Sequence, residues 1–105
     1  MENTGCSAAE PFALRVLGDS MLPEFREGHI IIIDPGMPVQ DGAYVVVDYD
    51  GDTSFRQFIV DDSGKQFLKP LNDEFDTVEI SGPCHFHGVV VQRAGTRRKE
   101  HKHYY

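Results

Sequence analysis

Residues 43–60 read AYVVVDYDGDTSFRQFIV. The β-branched run at 43–49 meets Asp50-Gly51-Asp52 and returns as the apolar-alternating run at 53–60. An Asp-Gly pair between two such runs is a strong local hairpin signal, because both residues tolerate the left-handed backbone that a two-residue turn requires. Working outward, HIIIID at 29–34 is continuous and β-branched, which predicts a strand buried on both faces. FALRVL at 12–17 predicts a strand before it. Gln66–Leu71, Thr77–Ile80 and FHGVVVQR at 86–93 predict three after it. PGMPVQDG at 35–42 and DDSGK at 61–65 are breakers, and SMLPEFREG at 20–28 suits one short helical turn that begins near Pro23 and stops at Gly28. Seven short strands with at most one or two short helical turns predict an all-β domain: a ribbon of hairpins in a partly closed barrel.

The pattern divides the chain into a polar arm at 1–11, a β domain at 12–93 and a basic, histidine-containing tail at 94–105 that is expected to fray. A length of 105 residues fits one small domain. The formal charge of −7 arises from 17 acidic against 10 basic residues, and Arg97, Arg98, Lys99 and Lys102 fall in the tail. The acidic body repels a phosphate backbone, so nucleic-acid binding is expected only through that tail. No apolar run approaches the roughly 20 residues that span a bilayer, and MENTGCSAAE has neither a basic nor an apolar leader region. A membrane partner is therefore not expected, and the cytoplasm is the expected location. There Cys6 and Cys84 are expected to stay reduced.

One short motif carries chemistry: GDSMLP at 18–23. Ser20 is either a nucleophile or the cap of the turn that follows it. A serine hydroxyl needs a neighbouring base, usually histidine, and none of the five histidines sits in a recognisable triad setting. A lysine can serve instead when burial keeps its amine neutral. The i, i+2 pairs His85/His87, next to Cys84, and His101/His103 could touch a metal, but a structural site needs about four ligands. No cofactor or metal is expected.

Five segments in order, GDSM at 18–21, EGHIIIID at 27–34, DGAYVVVDYDGD at 41–52, FLKPLNDEF at 67–75 and HGVVVQ at 87–92, resemble the carboxy-terminal domain of the LexA/UmuD-type self-cleaving Ser/Lys peptidases. That family is related in fold to type I signal peptidases. The resemblance covers roughly residues 12–93. It implies that Ser20 holds the nucleophile position, that backbone donors beside it form an oxyanion hole, and that the domain forms homodimers.

The departure lies in the partner. The family's lysine follows the hairpin in a pattern resembling Val-Lys-Arg-Leu, and this chain has Phe55-Arg56-Gln57-Phe58. Arg56 stands at the dyad position, and a guanidinium with a pKa above about 12 cannot accept the serine proton. It could instead hydrogen-bond Ser20, hold a carboxylate or carbonyl in the cleft, or pair with Asp48 or Asp52. Lys69 is the candidate substitute base, ahead of Lys65. Self-cleaving members also carry an Ala-Gly or Cys-Gly bond upstream, whereas this arm has Gly5-Cys6, and with so short an arm a DNA-binding domain is not expected before the β domain.

The expected function is a catalytically impaired peptidase-fold module that binds a peptide or protein segment, or dimerises, in a stress (SOS-type) or regulatory response. An active Ser/Lys peptidase using Ser20 and an accessory subunit of a DNA-repair polymerase are the alternatives. Expected partners are a second copy, a segment in the cleft, and a DNA-repair or transcription-regulatory protein.

Overall fold

A computed structural model describes residues 10–95 and 101–104. Its strands are β1 (Phe12–Arg15), β2 (Ile30–Asp34), β3 (Tyr44–Tyr49), β4 (Asp52–Val60), β5 (Gln66–Lys69), β6 (Val78–Glu79), β7 (Cys84–Ala94) and β8 (Lys102–His103). All pair antiparallel in one sheet ordered β1-β2-β7-β3-β4-β5-β6, with β8 against β7. The two ends of this ladder, β1 and β6, do not pair with each other. No helix forms among the described residues, and SMLPEF folds as hydrogen-bonded turns in which the Phe25 N–H donates to the Met21 carbonyl at 2.9 Å. The chain is all-β. The hairpin turns where the sequence places it, with Asp50 at φ 54° and Gly51 at φ 85°.

Consecutive valines make sense once both faces of the sheet are seen to be packed. Val45 and Val47 of β3 join Ala43, Phe58, Leu68 and Val89 on one face, while Val46 joins Val16, Met21, Phe25, Ile31, Ile33 and Val90 on the other. At roughly 1.5–3 kcal/mol for each large apolar side chain removed from water, these two clusters are the main favourable term in folding. The expectation that the isoleucine run is buried on both faces is corrected. Ile31 and Ile33 are buried, but Ile30 and Ile32 are only half-buried. The reason is position: β2 lies next to the exposed edge strand β1, beyond the reach of the second cluster. The strands buried on both faces are β3 and β7.

β7 can serve β2, β3 and β8 together because it is long and irregular. Its register slips opposite Val46/Val47 and again opposite Ile32/Ile33, and such slips bend a strand. Gly88 lies at the closest approach. A Cβ there would meet Ile33 Cγ2 at 2.5 Å and the Asp34 backbone at 3.0 Å, so the crossing admits no side chain.

The expected fraying of the tail is also corrected, for residues 101–104. β8 pairs Lys102 with Arg93 and His103 with Gln92, and it occupies the edge of β7 beyond the point where β3 ends. The Tyr104 N–H donates to the Val91 carbonyl at 2.8 Å. Its ring lies 5.4 Å from both Phe25 and Tyr44, and Phe25, fully buried, lies 4.8 Å from Phe55. The charge run before it obscured the aromatic anchor. Residues 96–100 and Tyr105 lie outside the described residues.

Glu24 ties this anchor to the turn after Ser20. Its Oε2 accepts from Tyr104 Oη at 2.6 Å, Lys102 Nζ at 2.8 Å and Arg93 Nη1 at 3.2 Å. Burial acts to raise its pKa, but the bonds from Lys102 and Tyr104 and the charges of Lys102 and Arg93 outweigh it and hold the carboxyl below its ordinary value. A depressed carboxyl stabilises the fold above its unfolded-state pKa and loses that contribution as pH falls through the folded one. At pH 7 Glu24→Gln should lower the unfolding free energy by about 1–2 kcal/mol. In urea titrations the difference should begin to shrink as pH falls below about 4 and vanish once pH has passed below the depressed pKa of the folded carboxyl.

Candidate functional site

The turn that carries Ser20 is fixed from below and from the side. Val16 leaves β1 and pairs its N–H with the His29 carbonyl at 2.8 Å, Met21 is buried in the core, and Asn72 clamps the turn's backbone. The Asn72 N–H donates to the Ser20 carbonyl and its Nδ2 to the Asp19 carbonyl, each at 3.0 Å. Asn72 is itself held in an Asx turn, with Oδ1 accepting from Glu74 N at 2.9 Å. The sequence reading passed over this residue inside FLKPLNDEF. Its signal was a short amide followed by acidic residues, a pattern that favours such turns.

The hairpin delivers the other half of the site. Arg56, half-buried near the middle of β4, donates from Nη1 to Ser20 Oγ at 3.0 Å and to the Phe55 carbonyl at 2.7 Å. The two residues lie 36 positions apart in sequence. Burial lowers the Arg56 pKa, yet a guanidinium starts so high that it keeps its proton. On a lysine the same burial would act in the same direction from a lower start, toward a neutral amine. Among the described residues no carboxylate forms an ion pair with Arg56. The pairing considered with Asp48 does not form, because Asp48 accepts from Thr53 Oγ1 at 2.5 Å and faces His87 Nε2 at 3.0 Å.

Lys69 is not brought to this place. It is exposed on β5, opposite Gln57, and does not line the cavity in which Ser20 sits. Lys65 is exposed in the turn before β5. The histidines are elsewhere too: His29 accepts from Arg26 N at 3.0 Å, His85 and His87 stack edge to face beside Asp48, and His101 bonds Gln92 at 2.8 Å. Among the described residues no group of three or more His, Cys, Asp or Glu side chains could hold a metal ion. Cys84 is a free thiol, and Cys6 lies outside the described residues.

The cavity around Ser20, about 310 Å³, runs between two walls: residues 16–21 on one side and Thr53–Arg56 on the other, with Phe75 at its rim. A second cavity of about 390 Å³ shares Thr53, Ser54 and Arg56 with it and is lined as well by Asp50, Asp52, Asp76, Leu68 and Val78. Pairing explains why β4 is open here. β3 covers Asp52–Gln57, but β5 pairs only with Gln57–Val60, so the β5-side edge of Thr53–Arg56 has no strand partner. No described helix is long and apolar enough to cross a membrane.

Comparison with known proteins agrees with this geometry. The HTH-type transcriptional regulator for conjugative element SXT of Vibrio cholerae and that for element R391 of Providencia rettgeri are each 39% identical to this chain over 98 residues, which is 87% of it and 45% of each regulator. Repressor protein C2 of Salmonella phage P22 is 39% identical over 88 residues, 78% of this chain and 40% of the repressor. The chain thus spans less than half the length of these relatives. The family model described as Peptidase S24-like matches residues 2–91. With a serine in the turn after the first strand and a cation from the hairpin set against it, the chain belongs to the S24-like peptidase family.

Proposed function

We propose that this chain is the peptidase-fold part of a repressor-type regulator in which Arg56 has silenced Ser20, so that the cleft binds a peptide segment rather than cutting it. The observation that carries the reading is the 3.0 Å bond from Arg56 Nη1 to Ser20 Oγ. A charged donor occupies the oxygen that would have to attack, and no acceptor for the serine proton lies beside it among the described residues. General-base assistance is worth about 10²–10⁴ in rate, and a permanent cation forfeits it.

Peptide binding follows from the open edge of Thr53–Arg56, where an extended segment can add as a strand and satisfy main-chain groups. The printed names of the relatives describe transcriptional regulators and repressors. They favour a regulatory assembly over a polymerase accessory role. In that assembly this domain would act as a homodimerisation unit in the cytoplasm, and DNA contact would fall to another part of the protein. The competing reading of an active peptidase with Lys69 as its base has no support in the placement of Lys69.

The test is to restore the amine. Arg56→Lys should make Ser20 acylate with p-nitrophenyl acetate at pH 9–10, with a rate that rises with pH as the lysine loses its proton and that is abolished by Ser20→Ala. The native chain should react about 10²-fold more slowly or not at all. Acylation of Ser20 in the native chain at the rate of the lysine variant would refute the reading.

A further inference from the structure

Arg56 has more donors than the protein uses. Both bonds it makes come from Nη1, and its Nη2 and Nε groups have no acceptor among the described residues. A half-buried guanidinium without a carboxylate is an unusual expense, since a desolvated charge is normally paired. The unspent face of its donor fork matches the two oxygens of a carboxylate. Across the cavity the backbone N–H groups of Ser20 and Met21 also have no acceptor among the described residues.

The strand edge says what kind of carboxylate fits. An added strand can pair along Thr53–Arg56, but from Gln57 onward Lys69 and the rest of β5 fill that edge. An extended peptide must therefore leave the edge at Arg56. A cation at the blocked end selects a chain end that carries negative charge, the carboxyl terminus, and repels an amino terminus. The bound strand would then run parallel to β4. The acidic side chains in the cleft do not oppose this placement equally. Asp50, Asp52 and Asp76 line the second cavity, which shares Thr53, Ser54 and Arg56 with the first, and Asp50 and Asp52 precede Thr53, at the end of the edge away from Arg56. Among the described residues Asp19 is the one carboxylate residue lining the Ser20 cavity.

We propose that the cleft is a receptor for the free carboxyl terminus of an extended peptide, its carboxylate held by the Arg56 guanidinium beside Ser20. This deepens the peptide-binding reading and rests on it. The carboxylate could also come from an Asp or Glu side chain within a longer segment, and the experiment separates the two sources.

Three amino-terminally fluorescein-labelled peptides are compared by anisotropy with the native chain: Lys-Ala-Leu-Ala-Ala with a free carboxyl terminus, the same peptide as its terminal amide, and Lys-Ala-Leu-Ala-Glu as its terminal amide. The free acid should bind about tenfold or more tighter than either amide. Arg56→Gln should remove that preference, and Arg56→Lys should keep part of it as a point charge. Equal binding of acid and plain amide would overturn the carboxylate receptor while leaving peptide binding intact. A Glu amide as tight as the acid would overturn the assignment to a chain terminus. Binding of none of the three would overturn both this inference and the peptide-binding reading. The comparison among peptides uses only the native chain, so it stands even if a variant folds poorly.

Discussion

A guanidinium keeps its proton across the range in which proteins stay folded, and in this molecule one is set 3.0 Å from the serine of a peptidase turn. Burial that would push a lysine toward its neutral form lowers the arginine only from a far higher start. Under the proposed reading the cleft keeps its walls and its open strand edge while its chemistry is reversed. Where a base would draw the serine proton away, Arg56 donates to the serine oxygen, and a site for making a carboxyl terminus would become one for holding it.

The scaffold accounts for that contact. β3 and β7 bury both faces, β4 hangs on β3 through the Asp50–Gly51 turn, and Arg56 is thereby fixed in height. The serine turn is pinned separately by buried Met21 and Phe25, by Asn72, and through Glu24 by the last described strand. Two separately anchored residues 36 positions apart meet at this bond.

The strand pattern was legible because β-branched runs and Asp-Gly turns are local signals, whereas Ser20 and Arg56 were singled out as a pair only through the resemblance to the Ser/Lys peptidase family. What the sequence concealed was non-local. The isoleucines of β2 look the same whether one face is covered or two, and only the sheet order decides it. The role of Asn72 depends on a loop meeting a turn 53 residues away. Tyr104 packs on Phe25 behind a run of charges that reads as a solvated end. Lys69 shows the converse: a lysine in a matching segment, yet exposed and outside the cavity, because strand pairing sets it opposite Gln57.

The most direct measurement is nitrogen-detected NMR of the Arg56 side chain from pH 6 to pH 10, in the native chain and in Ser20→Ala. The account predicts a charged guanidinium whose hydrogens exchange slowly, whose resonances do not titrate, and whose shifts move when the serine oxygen is removed. A rapidly exchanging guanidinium that is indifferent to Ser20→Ala would contradict it, since the contact on which the silenced cleft depends would not exist in solution.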